Sequence, residues 1–177
     1  RFEVEQEQFR LPPGLMDSHV HTPLAYCSEN MSMRAVMEIA ELEGLEKVAF
    51  TEHSGHLYSP IKDYWCGDKS RWFESFSDFG PFQVDRTDLF FQLFCGLDPA
   101  RCLKGMELDV DSRGNIVIGE GIRERLDLTL GAVHVLNREL SQEKKVEQFL
   151  LMAKSLIAGG IDILAHPFRV FSWDGVG

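Results

Sequence analysis

Short apolar runs alternate along this chain with segments in which the apolar residues recur at helical spacing. From Met33 to Ala40 the apolar positions follow the i, i+3, i+4, i+7 pattern of one helix face. Ser32 stands where an N-cap is needed, and Gly44 stands where a helix would end. The pattern therefore predicts a first helix here, and the apolar run within residues 47–53 predicts a strand after it.

A second helix of the same kind is predicted after Ser141, with Gly159 and Gly160 at its end. Its predicted apolar face is formed by Val146, Phe149, Leu150, Ala153 and Ile157. Residues 161–167 follow as a strand, and Pro167 is expected to hold His166 in the extended region and to stop that strand. The order of helix, glycine and apolar strand thus occurs twice.

Three further strands complete the predicted pattern: one that carries the HxH pair, and two at residues 102–111 and 127–136. Strands that alternate with helices, each a short and nearly continuous apolar run, are typical of a parallel sheet buried on both faces. We therefore expect an α/β fold, either a β/α barrel or a closely related α/β layer. The length of 177 residues predicts a single domain over residues 1–177.

Histidines stand at the ends of these predicted strands. His19 and His21 are one residue apart, so on a strand their imidazoles point to the same side, about 6–7 Å apart. His53, His134 and His166 each stand near the end of a later strand. Reactive groups gather at the carboxyl ends of the strands in such folds, and so many imidazoles in one place would repel one another when protonated. The set predicts a metal site.

A carboxylate ligand is expected from the segment GMELDVD. Glu107 and Asp109 share one face of this strand, while the apolar residues between them share the other. Either carboxylate could bridge two cations, and spacing alone does not decide between them. Arg169, three residues after His166, could grip a phosphate in a bidentate fork or form a surface ion pair. His56 could contact substrate, but we interpret it as a loop residue.

Composition narrows the classes of partner. The formal net charge of −10 disfavours nucleic acid, because binding to its backbone rests on clustered Lys and Arg. No apolar run approaches the roughly 20 residues of a membrane span, so no membrane partner is expected.

The cysteines show no CxxC pair, which predicts reduced thiols, no disulfides and a cytoplasmic location. They are Cys27, Cys66, Cys95 and Cys102.

The segment over residues 54–94 is richer in aromatic residues than the rest of the chain. We interpret its aromatic side chains as packing outer helices and loops onto the barrel, with a lid over the site as the alternative.

Five motifs between Asp17 and Pro167, in the order DSHVHT, FTEHS, GMELD, GAVH and AHP, resemble those of the PHP (polymerase and histidinol phosphatase) family of metal-dependent phosphoesterases. The resemblance is greatest to the stand-alone branch of histidinol-phosphate-phosphatase-like enzymes. It implies a distorted seven-stranded β/α barrel that holds two or three Zn, Fe or Mn ions. Carried over by motif, the ligands would be His19 and His21 for one ion, Glu107 as the bridge, His134 and His166 for the second ion, and His53 for a third.

The sequence departs from that family pattern at three places. Cys27 stands where the family often has a histidine that binds the third ion, and it is either a replacement ligand or a small residue beside the site. Glu52 replaces the aspartate of the second motif, a change we interpret as tolerated. The last family motif, Asp-x-His, is absent, since Asp174 has no histidine two residues on. We therefore expect a fragment whose barrel is incomplete at the C-terminal end.

The leading functional hypothesis is hydrolysis of a small-molecule phosphomonoester by a metal-activated hydroxide, with histidinol phosphate as the candidate by resemblance. A PHP-type nuclease or phosphodiesterase is the alternative within the family. A metal-dependent amidohydrolase is disfavoured, because Lys104 lies on the other face of the strand from Glu107 and would be a poor carbamate bridge. A non-catalytic scaffold that keeps metal for folding or partner binding is the remaining alternative.

Overall fold

The computed structural model describes residues 11–28, 30–60 and 84–173 of the chain. Five strands form one sheet in which every neighbouring pair is parallel. They are β1 (Met16–Val20), β2 (Lys47–His53), β3 (Cys102–Leu108), β4 (Leu128–Gly131) and β5 (Ile163–Leu164), and they lie side by side in the order of the sequence. This strand order is typical of a β/α barrel. In a doubly wound sheet the strand order reverses at a switch point within the sheet.

Helices connect these strands. They are α1 (Met33–Leu42), α2 (Ser54–Tyr58), α3 (Thr87–Gln92), α4 (Gln142–Ala158) and α5 (Arg169–Trp173), with a short 3-10 helix at Arg123–Arg125. Both predicted N-caps are confirmed, since the Ser32 side chain accepts from the Ala35 amide and the Ser141 side chain accepts from the Lys144 amide. α1 buries Met33 and Ala40 against the core, as predicted.

The apolar face predicted for α4 is wrong in part. Phe149 and Ala153 are buried as expected, but Val146, Leu150 and Ile157 are exposed. The residues buried on α4 are Lys145, Phe149, Met152, Ala153 and Leu156. The last four follow the same i, i+3, i+4, i+7 spacing, so the sequence contains two overlapping apolar stripes, and the packing against the sheet selects one of them.

Three predicted strands are shorter than their apolar runs. The strand predicted over 102–111 ends at Leu108, and the one predicted over 127–136 ends at Gly131. Asp109 and His134 therefore lie in the loops that follow β3 and β4, where the backbone is free to turn their side chains toward the sheet end. The strand predicted over 161–167 is reduced to the two residues of β5.

The conformation expected for His166 is also wrong. His166 has a φ of 27°, in the left-handed region, instead of the extended conformation that the following proline favours. A residue of this type in that region costs on the order of 1–3 kcal/mol and persists only where its surroundings fix it. Its side chain here is held against Glu107.

The sheet is curled. The rings of His19, in β1, and His166, just after β5, are stacked with centroids 5.3 Å apart. Strands at the two edges of a flat five-stranded sheet would be roughly 19 Å apart at the usual spacing of about 4.8 Å. The described residues thus form a curled, all-parallel α/β sheet that is compatible with an incomplete barrel, and the seven strands implied by resemblance stay a prediction.

Part of the aromatic segment packs in the main core. Tyr58 and Phe90 are buried there together with Met106 and Leu156, which confirms the packing interpretation for these two side chains. Residues 61–83 of this segment lie outside the described residues.

Among the residues that the structure describes, no helix is both long and apolar enough to cross a bilayer. Cys27, Cys95 and Cys102 are free thiols, and Cys66 lies outside the described residues.

Candidate metal centre

Glu107 is the centre of a cluster of histidines at the carboxyl end of the sheet. It stands near the end of β3, opposite His53 of β2 in the strand register, and its side chain is fully buried. One carboxylate oxygen, Oε2, lies 3.0 Å from His53 Nδ1, 3.2 Å from His19 Nε2 and 3.9 Å from His21 Nε2. Three imidazoles from the first two strands therefore meet one oxygen.

The other oxygen of Glu107 faces the far strands. His166 Nε2 lies 2.9 Å from Glu107 Oε1, and His134 Nε2 lies 3.3 Å from it. The five predicted histidines thus divide between the two oxygens of one carboxylate, which is the arrangement that a bridging carboxylate presents to two cations. The structure brings all six of these predicted residues together.

The HxH pair is oriented by its neighbours on β2. The rings of His19 and His21 are 5.2 Å apart and nearly perpendicular, and the ring of His21 stacks on His53 at 4.2 Å. His21 Nδ1 lies 3.1 Å from the backbone oxygen of Thr51. Because that oxygen only accepts, it fixes the proton of His21 on Nδ1 and leaves Nε2 directed at Glu107.

Glu107 and Asp109 occupy different positions relative to the histidines. Asp109 is buried, but its carboxylate lies behind His134, with Oδ1 2.6 Å from His134 Nδ1. Its other oxygen, Oδ2, accepts from the backbone amide of Gly55 at 2.8 Å. Glu107 therefore faces the other histidines directly, whereas Asp109 contacts only the outer nitrogen of one of them.

Cys27 lies beside the histidines of the first two strands. Ligand atoms of His21, Cys27 and His53 all lie within 4.8 Å of one another. Burial and the nearby charge of Glu52 raise the pKa of the Cys27 thiol above its ordinary value. Cys27 is therefore placed where a soft ligand could join two imidazoles, and its thiol holds its proton until a cation replaces it.

The charges in this cluster are strongly coupled. Burial would raise the pKa of Glu107, but the nearby imidazoles of His134, His166 and His19 hold it far below its usual range, so the carboxylate is ionised. Burial lowers the pKa of His53 and of His21. Burial opposes the charge on His134 as well, but Asp109 and Glu107 raise the pKa of His134 to about 10.

These residues fit a divalent transition-metal ion. Glu107 Oε2, His53 Nδ1 and His134 Nε2 are buried and have no hydrogen-bond partner within the described ranges. Buried polar atoms of native proteins nearly always have partners, so three such atoms aimed at one point indicate a missing ligand. Imidazole nitrogen, carboxylate oxygen and thiolate sulfur are the donors that zinc and iron accept.

Sequence reasoning missed a buried support behind the cluster. Glu52 is fully buried and accepts from the Thr22 amide at 3.0 Å, from the Thr22 hydroxyl, and from the His53 amide at 2.9 Å. His56, interpreted as a loop residue, is a buried residue of α2 whose Nδ1 accepts from the Tyr26 amide at 3.2 Å. The only signal in the sequence was the place of Glu52 beside His53 in the second motif.

The basic side chains of Arg169 and Lys104 have different surroundings. Arg169 begins α5, is exposed, and lies close enough for its charge to act on Cys27. It therefore lies near the mouth of the cluster, and its role in binding substrate stays a prediction. Lys104 points elsewhere, with its Nζ 3.8 Å from Asp127.

Comparison with known proteins gives a likeness in structure. No family model and no curated protein matches the sequence. Among solved structures, the chain is similar to a histidinol phosphate phosphatase from Lactococcus lactis subsp. lactis, determined in complex with zinc, L-histidinol and phosphate. The TM-score is 0.57 at 19% identity, and the match covers 89% of this chain and 59% of that chain. The two proteins share a fold, and this chain spans less than two thirds of the length of the phosphatase.

Proposed function

We propose that this chain is a metal-dependent phosphoesterase of the PHP type that hydrolyses a small-molecule phosphomonoester. The observation that carries the proposal is the division of five histidines between the two oxygens of the buried Glu107. The likeness in fold to a zinc-containing histidinol phosphate phosphatase supports it. The same five motifs that resemble the PHP family supply Glu107 and all five of these histidines.

The proposed centre would hold two or three divalent ions, drawn from Zn, Fe or Mn. His19 and His21 would bind the ion on the Oε2 side of Glu107, and His134 and His166 the ion on the Oε1 side. His53 and Cys27 would serve a third ion, with His21 beside them. Bound cations of this kind lower the pKa of a water toward neutrality and neutralise charge on the phosphoryl oxygens.

The protein's own residues contribute position and charge. Glu107 keeps its negative charge at neutral pH, so its carboxylate would attract cations to both of its oxygens. His21 is fixed by the Thr51 carbonyl, so its Nε2 is available to a cation. Arg169 would bind the phosphate from the rim of the cluster through its guanidinium, which matches a phosphate in a two-point geometry.

A small substrate is favoured over a polynucleotide. The formal net charge of −10 opposes a broad contact with a phosphate backbone, while cations at the cluster would still attract one phosphate group. Histidinol phosphate is the first candidate because of the resemblance in sequence and the likeness in fold. An amidohydrolase activity has less support, because Lys104 pairs with Asp127 and lies away from the cluster.

Elemental analysis and turnover together test the proposal. We expect two or three transition-metal ions per chain, and Zn- or Mn-dependent release of phosphate from p-nitrophenyl phosphate and from histidinol phosphate. Bound metal without release of phosphate from any monoester would favour the non-catalytic scaffold, and cleavage of bis-p-nitrophenyl phosphate alone would favour a phosphodiesterase. A folded, metal-free protein that takes up no added metal would overturn the proposal.

A further inference from the structure

We infer that Asp109 is a positioning residue that sets the tautomer of His134, and that its two carboxylate oxygens have separate tasks in doing so. The inference rests on the metal centre of the proposed function. His134 presents Nε2 to Glu107 and Nδ1 to Asp109. A cation at the cluster needs Nε2 free of its proton, so the proton of a neutral His134 has to reside on Nδ1.

Asp109 provides the acceptor that this tautomer requires. Its Oδ1 lies 2.6 Å from His134 Nδ1, and both side chains are almost wholly buried. A carboxylate only accepts, so it stabilises the proton on Nδ1 and directs the lone pair of Nε2 toward Glu107. No rotation about the side chain of His134 would be needed when a cation arrives.

Asp109 is itself held by the first residues of α2, directly after β2. The amide of Gly55, at the start of α2, donates to Oδ2 at 2.8 Å, and the amide of Asp109 donates to the Ser54 side chain at 2.9 Å. Each carboxylate oxygen therefore has a different partner. One faces a backbone donor that cannot change, and the other faces a ring nitrogen that is either a donor or an acceptor.

This difference predicts an unusual order of effects. In Asp109→Asn the Gly55 amide requires the side-chain oxygen, so the amide NH₂ group faces His134 Nδ1 and donates to it. His134 then carries its proton on Nε2, which is the wrong tautomer for a metal ligand. Asp109→Ala leaves Nδ1 without a fixed donor or acceptor, so His134 can still adopt the correct tautomer part of the time.

Zinc affinity, measured by competition with a chromophoric chelator on the purified full chain, tests the inference. Loss of a carboxylate behind a histidine ligand typically weakens metal binding by about 10- to 100-fold. We expect a loss of about tenfold for Asp109→Ala and about 100-fold for Asp109→Asn. A role in packing alone gives the reverse order, because asparagine fills the same volume and alanine leaves a cavity.

Asp111 provides the matched control. It is equally buried, two residues further along, and its carboxylate accepts from the Arg113 and Asn115 amides. Asp111→Asn and Asp111→Ala are expected to change stability but to leave zinc affinity within about threefold. A nitrogen-15 spectrum of the metal-free protein is expected to show Nδ1 of His134 protonated in the wild type and unprotonated in Asp109→Asn.

The outcomes separate this inference from the proposed function. Wild-type affinity in Asp109→Asn, or a weaker effect than in Asp109→Ala, overturns the role of Asp109 and leaves the metal centre intact. A wild-type protein that binds no zinc overturns both. If Asp109→Asn does not fold, Asp109→Ala is compared with Asp111→Ala, and equal zinc affinity in these two overturns the inference.

Discussion

His19 and His166 stack on one another from opposite edges of the described sheet, and each meets a different oxygen of Glu107, at 3.2 Å and 2.9 Å. The centre therefore depends on the curl of the sheet as well as on its ligands. A cation between two such imidazoles and a shared carboxylate would join the first strand to the last. Metal binding and the curl of the described sheet are thus expected to be coupled.

Glu107→Gln tests the bridging role. An amide has one acceptor oxygen and no charge, so it cannot hold two cations, and we expect most of the bound metal to be lost on dialysis. His19→Ala removes a ligand from one side only and is expected to remove about one ion per chain. Elemental analysis of both variants measures this, with the exposed Glu147→Gln as control. Full metal content in Glu107→Gln would contradict the bridge.

Cobalt binding tests Cys27 as a ligand. A thiolate bound to Co²⁺ gives an intense charge-transfer band in the near ultraviolet, which nitrogen and oxygen ligands do not give. We expect this band in the wild-type protein and its loss in Cys27→Ser, because Cys27 lies with His21 and His53 in one cluster. Cys95→Ser is the control, since Cys95 is also an exposed free thiol. A band that persists in Cys27→Ser and disappears in Cys95→Ser would assign the thiolate elsewhere.

Glu52→Gln tests the support behind the cluster. Glu52 accepts from two groups of Thr22 and from the His53 amide, and a glutamine side chain would present an NH₂ group to at least one of these donors. Leaving a buried donor unsatisfied costs about 1–3 kcal/mol, so we expect a loss of that size in the free energy of unfolding. Urea titration of the metal-free protein measures it.

Thr22→Val gives the matched comparison for Glu52. It removes the hydroxyl donor to Glu52 and the acceptor of the partly buried Leu24 amide, which water can replace. It leaves the amides of Thr22 and His53 bound to the carboxylate, so its cost is expected to be smaller. If Glu52→Gln were as stable as the wild type, the buried carboxylate would not be the support that its contacts indicate.

The sequence predicted the residues that form the cluster better than the residues that support them. An HxH pair and histidines at strand ends carry a chemical signal, and periodicity located the strands that bring them together. The supporting residues carry no such signal. Asp109 can contact His134 only because β3 and β4 end before these two residues. The role of Glu52 depends on the direction of its side chain, which accepts from the His53 amide behind the cluster. Similarly, α4 holds two apolar stripes, and only the packing against the sheet distinguishes them.

Ionisation of Tyr58 is expected to lower the free energy of unfolding at alkaline pH. Its side chain is buried, its hydroxyl accepts from the Gly119 amide at 2.9 Å, and burial raises the pKa of Tyr58 to about 12. Folding therefore favours the protonated phenol. Below pH 10 both the folded and the unfolded states keep this proton. Between about pH 10 and 12 only the unfolded state loses it, so the free energy of unfolding falls as the pH rises.

Tyr58→Phe isolates this effect, because phenylalanine fills the same space and cannot ionise. The variant loses the acceptor for Gly119 at every pH, so the wild type is expected to be the more stable protein by a constant margin from pH 7 to 9. That margin is expected to shrink above pH 10, as measured by urea unfolding at a series of pH values. Because α2 carries both Tyr58 and the Gly55 amide that holds Asp109, the same pH rise is expected to loosen the support of His134. If the difference in the free energy of unfolding between the two proteins stayed constant to pH 11.5, Tyr58 would have the same pKa in the folded and the unfolded states. The protonated phenol would then not stabilise α2.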